Sequence, residues 1–441
     1  MSGNADVDKL VVLISDAAFE AVVEYQKYGQ DVPALSCPVV HPLDSATDLI
    51  KLRRALRQLE GACRHLYDML APPVEYIGKN TMDFGPVLLR TAVNAGIAEI
   101  LEGRPQGMHL LHIAEATGLP EPKLTQIMRA LASRNCFIEV DTDTYANNRI
   151  SQALFKDSET RSCDYTWLAV TQCHYGLDSY WEFLNNKQVD VADVPDNYKG
   201  LWSYARRNSA GELQDSIYTA WGKHVRIYSQ VLSPYSTFCD IGSGVGSFSL
   251  HLAKLRPDLH ITLQDQPHVL DDALQLWSKE FPDCTLDKRV VFEPLDFLVH
   301  PPVQGQDYYY MRAIVHNWTD NDVRRILTNV RKAMGAHSRL LIQEYSLAPQ
   351  NRKRGAGEAA RYGIQQAPEP LLPNFGWGAS RRHNLDFTMQ LTFNAKERTV
   401  GELIELASSA ELAFVKFLDL GTASVLEFQS ARKDESSQSR L

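Results

Sequence analysis

Residues 239–248 read Cys239-Asp240-Ile241-Gly242-Ser243-Gly244-Val245-Gly246-Ser247-Phe248. An apolar strand runs into a turn with glycine at every second position, and a helical run from Phe248 to Leu255 follows. Glycine reaches φ > 0 and carries no Cβ, so a ligand can approach the backbone closely. The start of the new helix offers N–H groups without intrahelical partners and the positive end of a dipole. Together these features predict a nucleotide- or nucleoside-binding turn on a Rossmann-like sheet. The dinucleotide form G-x-G-x-x-G does not fit, because its third slot is Ser247 and the extra glycine falls at Gly246.

The next strand, Leu259 to Asp265, ends in a carboxylate. An acid at the tip of the second strand can accept hydrogen bonds from two ribose hydroxyls; the competing reading is an aspartate that caps the following helix. From Phe238 onward, strands are predicted at 236–241, 260–264, 290–293, 307–312, 338–343, 413–418 and 423–429. Helices are predicted at 247–255, 268–279, 320–334 and 399–410. This alternation predicts a doubly wound α/β domain. A polar stretch at 348–381, rich in Pro, Gly, Arg and Gln, is expected to be a mobile insertion, and the polar tail from Ser430 is expected to be disordered.

Upstream, the chain reads as mainly helical. The first 29 residues predict a helix with Leu10, Ile14, Phe19 and Val22 on one side. Asp44 to Leu70 predicts a long amphipathic helix with Leu49, Leu52, Leu56 and Leu59 inward and Arg53, Arg54 and Arg57 between them. Residues 82–102 also read as helical and apolar. Residues 109–147 give two short helices around Gly118-Leu119-Pro120 and then a hairpin, a winged helix-turn-helix pattern. Its second helix carries only Lys123, Arg129 and the terminal Arg134 as basic residues, while Leu124, Ile127, Met128 and Leu131 fill much of its surface. That favours packing, within the chain or against a second subunit, over DNA contact. Residues 151–235 read as helical and dense in aromatics, suited to a core or to a flat aromatic substrate.

At 441 residues the chain has length for two or three domains, and a formal net charge of −9 argues against nucleic acid as main partner. Seven scattered cysteines, without a C-x-x-C pair, read as reduced thiols in an intracellular setting. No apolar run is long enough to span a bilayer and the start lacks signal-peptide character, so a cytoplasmic protein without a membrane role is expected.

The chemistry is expected at strand ends. In Asp307-Tyr308-Tyr309-Tyr310-Met311-Arg312-Ala313-Ile314-Val315-His316 a strand empties into a loop with a histidine at its mouth. An imidazole there is placed to act as a general base; a structural histidine capping the loop is the alternative. Glu344 ends the strand 340–344, and Glu397 stands just before a helix. Either carboxylate, hydrogen-bonded to the far ring nitrogen of His316, would fix its tautomer and raise its basicity; otherwise they are a solvated strand end and a helix-terminus charge.

From about residue 45 to 428 the chain resembles the class I, plant caffeate/flavonoid-type small-molecule O-methyltransferases and their fungal pathway relatives. The resemblance is carried by Asp240 to Gly246, Asp265-Gln266-Pro267, Leu295-Asp296-Phe297, His316-Asn317-Trp318, the D-x-x-M stretch of Asp386 and Met389, and Asn394-Ala395-Lys396-Glu397-Arg398-Thr399. It implies S-adenosylmethionine as cofactor, bound through Asp240, Gly242, Gly244, Gly246, Asp265, Gln266, Asp296, Phe297 and Arg312. It implies His316 as base flanked by Glu344 and Glu397, and Asp386 and Met389 against a small phenolic acceptor. It further implies a homodimer and no catalytic metal. The expected organisation is an N-terminal helix and linker (1–43), a winged-helix dimerisation and substrate-lining domain (44–205), a Rossmann-like catalytic domain (206–429) and a tail (430–441). Asn317 stands where the family usually has aspartate, and the 348–381 stretch is longer than in typical plant members. Because a fold does not fix chemistry, pericyclase- or dehydratase-type catalysis with a non-reacting cofactor is the alternative reading, followed by a winged-helix regulator.

Overall fold

Short runs of β-branched and aromatic residues bounded by glycine and polar turns form the strands, as their alternation with helical segments requires. The computed structural model describes residues 3–29, 31–39, 41–45, 49–81, 83–155, 232–283 and 289–431. Most of the aromatic-rich 151–235 stretch and nearly all of the tail lie outside the described residues. By its contacts the chain groups into two compact units, residues 1–14, 53–65 and 181–441 in one, and 15–52 and 66–180 in the other.

The larger unit holds a seven-stranded sheet. Its strands are β4 (Thr237–Ile241), β5 (His260–Asp265), β6 (Val290–Pro294), β7 (Tyr308–Arg312), β8 (Arg339–Glu344), β9 (Leu412–Asp419) and β10 (Ser424–Ser430). They lie in the order β6-β5-β4-β7-β8-β10-β9. The first five are parallel, and β10 runs antiparallel to both β8 and β9. Strand order reverses at β4, which has β5 on one side and β7 on the other, so the crevice beyond its carboxyl end is the expected ligand position. Helix Asp320–Ala333 shows how sequence periodicity builds the core. Val323, Ile326, Leu327 and Val330 recur at helical spacing, are fully buried, and pack with Leu340, Ile342, Leu403 and Phe428.

In the smaller unit, helices Leu110–Thr117 and Glu121–Ala132 lie in the chain between β1 (Met108–His109) and the hairpin of β2 (Ile138–Asp141) and β3 (Thr144–Ala146), and the three strands form a sheet in the order β1-β3-β2. The winged-helix reading holds. Leu124, Met128 and Leu131 are buried against Leu110, Ile113, Phe137 and Tyr145, so the apolar side of the second helix serves this unit's own core.

Three expectations need correction. In helix Ala5–Gln26 the buried side chains are Leu10, Ala17 and Ala21, whereas Phe19 is 70% exposed and Val22 also faces outward. Of the four large side chains expected on one side, only Leu10 is buried, and the other buried positions are alanines. In helix Ile50–Leu70, Leu56 points to solvent and Arg57 is buried. Its Nη2 donates to Asp419 Oδ2 at 2.9 Å and its Nη1 to the Gly421 carbonyl at 3.1 Å, and the guanidinium lies over the Phe375 ring. Third, the 348–381 stretch is folded. It contains helix Arg352–Tyr362 and buries Ala367, Leu371, Phe375 and Ala379. Its end presses on the Arg57 helix so tightly that a Cβ on Gly378 would lie 1.9 Å from the Arg57 carbonyl oxygen, and one on Gly61 2.5 Å from that of Phe375. Among the described residues no helix is long and apolar enough to cross a membrane.

Candidate active site

The glycine turn leaves β4 with φ of 67° at Gly242, 57° at Gly244 and 72° at Gly246. The outer two glycines are forced by packing. A Cβ on Gly242 would lie 2.5 Å from Ile314 Cδ1, and one on Gly246 2.1 Å from Leu263 Cδ2 and 2.7 Å from Trp277 Nε1. Gly244 differs, because nothing lies within 4 Å of where its Cβ would stand. Its face of the turn is the open one, and Gly246 then caps helix Ser247–Leu255.

Asp265, at the tip of β5, closes over this turn. Its Oδ2 accepts from the Gly244 N–H at 2.7 Å and its Oδ1 from the Gln266 N–H at 2.7 Å. Burial raises the carboxyl's pKa against the pull of those two N–H groups. Each carboxylate oxygen keeps a second lone pair for a hydroxyl donor. An acceptor poised beside an unfilled glycine face is what a ribose requires, so these residues fit the nucleoside part of a cofactor. Phe297 sits on the same floor, 3.5 Å from the Gly242 Cβ position and edge-on to Trp318 at 5.7 Å between centroids.

Other expected cofactor residues are engaged within the protein. The Asp240 carboxylate is buried and accepts from Ser249 Oγ at 2.6 Å, tying β4 to the helix after the turn. Burial raises its pKa to about 6, against Ser249 and the Arg312 charge. Asp296 Oδ1 accepts from the Leu298 N–H, shaping the loop after β6, and Gln266 caps helix Pro267–Glu280.

The loop after β7 carries His316 in a short turn, Val315–Asn317, next to the residue that presses on Gly242. His316, Glu344 and Glu397 come together from three segments, all buried. His316 Nδ1 lies 2.6 Å from Glu397 Oε1 and 3.4 Å from Glu344 Oε2. Glu344 Oε1 accepts from the Ile314 and Val315 N–H groups at 3.0 and 2.9 Å, so the same side chain holds the turn. Burial would lower the imidazole's pKa, but the Glu344 and Glu397 carboxylates reverse this and raise it to about 9. Burial pushes Glu344 itself up to about 7, against the attraction of the imidazole.

The three ligand atoms lie within 4.8 Å of one another, near enough to raise the question of a metal. Ligand atoms on one tetrahedral zinc stand about 3.4 Å apart, given bonds of about 2.1 Å. The 2.6 Å separation is instead that of a hydrogen bond with a proton between the atoms. The cluster therefore reads as an imidazole oriented at Nδ1 by Glu397.

Asp386 and Met389 are placed differently from a simple pocket lining. Asp386 Oδ1 accepts from the Glu397 N–H at 2.9 Å, and Met389 is fully buried with Leu385, Phe393 and Ala395. Arg398, in the Asn394–Thr399 string, is a site residue that the sequence pattern does not single out. Its buried guanidinium donates to the Val315 and Trp318 carbonyls, both at 2.7 Å, and to Asp320 Oδ1, clamping the His316 turn from both sides. The available signal was an arginine directly after the second carboxylate.

A family model described as an O-methyltransferase domain matches residues 205–364, and one described as an O-methyltransferase dimerisation domain matches residues 85–157. The 3-O-methyltransferase 2 of Phanerochaete chrysosporium is 33% identical over 442 residues, spanning 96% of this chain and 97% of that protein. Human N-acetylserotonin methyltransferase, solved in complex with SAM, shares the fold with a TM-score of 0.60 at 17% identity, over 82% of this chain and 99% of that one. A protein described as a pericyclic reaction enzyme shares it with a TM-score of 0.67 at 18% identity, over 95% and 99%.

Proposed function

This chain belongs to the O-methyltransferase family, and we propose that it moves the methyl group of S-adenosylmethionine to a hydroxyl of a small phenolic or aromatic metabolite, with His316 as general base. The observation that carries this reading is the imidazole held by Glu397 at 2.6 Å, on the loop that rests against the glycine turn.

When bound, the cofactor supplies an electrophilic methyl. The protein's task is alignment and proton removal. Gly244 and Asp265 provide the cradle for the nucleoside, and Phe297 an apolar surface beside it. His316 takes the hydroxyl proton at Nε2 as the acceptor oxygen attacks. Glu397 holds Nδ1–H, and Glu344 adds a second negative charge that stabilises the imidazolium. No step needs a metal.

The dimerisation-model match supports a homodimer, with 44–205 as the dimerisation domain and 206–429 as the catalytic domain. Residues 1–43 form the helix and linker ahead of them, and 430–441 the tail.

The test is transfer of a labelled methyl group from S-adenosylmethionine to a panel of phenols. Label in the product supports the reading. Cofactor-dependent conversion of an acceptor without label would move the assignment to pericyclase- or dehydratase-type chemistry; a protein described as a pericyclic reaction enzyme shares this fold.

A further inference from the structure

Helix Ser380–Phe393 presents Arg382, Asp386 and Met389 at positions i, i+4 and i+7, one face of a helix. Two of these side chains reach the segments that carry the two carboxylates. Asp386 Oδ1 accepts from the backbone N–H of Glu397. Arg382 donates through Nη1 to the Ser346 carbonyl at 3.0 Å, two residues beyond Glu344, and through Nε and Nη2 to the Thr422 and Gly421 carbonyls.

We propose that Asp386 is a positioning residue for Glu397, acting on the base through the backbone and not by contact with the acceptor. The inference rests on His316 being the base. The Glu397 N–H is the donor nearest to the side chain that orients Nδ1, and Asp386 is its acceptor. Without that acceptor the Asn394–Arg398 turn loses the bond that fixes where Glu397 starts. A hydrogen bond of 2.6 Å tolerates little displacement of its acceptor. The charged groups around His316 and Glu397 are Glu344 from β8, Arg382 and Asp386 from the helix, and Lys396 and Arg398 from the turn itself. Arg382 and Arg398 are fixed by carbonyls, so Asp386 is the side chain that sets the Glu397 backbone.

The test compares Asp386→Ala with Asp386→Asn, since Asn keeps an oxygen able to accept the Glu397 N–H. Two readouts are needed, the pH profile of turnover and the titration of the His316 ring followed by nitrogen NMR in the cofactor-free protein. Asp386→Ala is expected to lower turnover about tenfold or more at little change in acceptor KM, and to move the His316 titration to lower pH. Asp386→Asn is expected to restore both. A raised acceptor KM in both variants, with the His316 titration unmoved, would overturn the proposal in favour of direct acceptor contact. If Asp386→Ala does not fold, Asp386→Asn decides, because loss of turnover with an unchanged ring titration also overturns it. Should His316→Ala remain active, the base assignment fails while the ring titration in Asp386→Ala still reads the positioning separately.

Discussion

His316 Nδ1 and Glu397 Oε1 meet at 2.6 Å across 81 residues of chain, both almost completely buried. A charge pair this far from water is held by its surroundings and cannot reorganise cheaply. The ring is thus oriented before any ligand arrives. Removing it should abolish proton transfer while sparing the cofactor cradle, whose contacts come from other side chains. His316→Ala is expected to lose roughly 10²–10⁴-fold in turnover. Affinity for S-adenosylmethionine, measured by calorimetry, should stay nearly intact. A fully active alanine variant would exclude the base assignment.

The elevated pKa of His316 gives the pH dependence its sign. With a value of about 9, the free enzyme holds an imidazolium at neutral pH. A base must first be neutral, so kcat/KM should climb with pH as the ring sheds its proton and level off above about pH 9. Glu397→Gln removes one of the two charges that raise the pKa, and the climb should then shift to lower pH. A profile that is flat from about pH 6 to 10 in both proteins would contradict an imidazole base.

The three glycines of the turn separate packing from binding. Gly246→Ala drives a methyl into Leu263 and Trp277 at a φ of 72°. It should cost about 2–4 kcal/mol from the left-handed backbone and the clash together. Gly244→Ala meets nothing in the protein and costs only about 1–2 kcal/mol of backbone strain, but its methyl occupies the open face where the nucleoside is expected. Thermal unfolding should therefore fall further for Gly246→Ala, and cofactor affinity further for the protein that survives as Gly244→Ala.

Under the proposed function Asp265 is the ribose acceptor, and the Gly244 and Gln266 N–H groups fix the orientation of its carboxylate. Asp265→Ala should weaken cofactor binding by about 10- to 100-fold, the loss of one or two charge-assisted hydrogen bonds. Unchanged affinity by calorimetry would place the ribose contact elsewhere.

Legibility from sequence followed the range of the forces involved. Strand and helix periods along 237–344 and 400–430 are local, and every element of the sheet was readable. The glycine turn was readable because a positive φ admits few residue types. The direction of the last strand was not, since it depends on the β9–β10 hairpin and on the partner β8. The burial of Arg57 is not legible, because a charged side chain on an amphipathic helix reads as exposed until its partner Asp419, 362 residues away, is known. The composition of 348–381 suggested mobility. It could not show that Gly378 and Gly61 permit backbone contact, or that Arg352 would be held by the Ala367 carbonyl. In the site, residue types were legible and the partner of each was not, as Asp386 and Arg398 show.

Arg398 offers the sharpest separation of support from chemistry. Its side chain is 3% exposed and holds the carbonyls on either side of His316, those of Val315 and Trp318, together with Asp320. Asp320 is 43% exposed, so its charge is largely recovered by water if the arginine is lost. The buried Val315 carbonyl has no such recourse. Arg398→Met should therefore cost about 2–4 kcal/mol, from orphaned acceptors more than from a lost ion pair. Asp320→Asn should cost much less, because the two carbonyl bonds remain. Denaturant unfolding of the two variants checks the difference. Turnover should fall in Arg398→Met in the fraction that remains folded, since the His316 turn has lost its clamp. Equal stability losses for the two variants would show that the ion pair, and not the pair of carbonyls, is what Arg398 contributes.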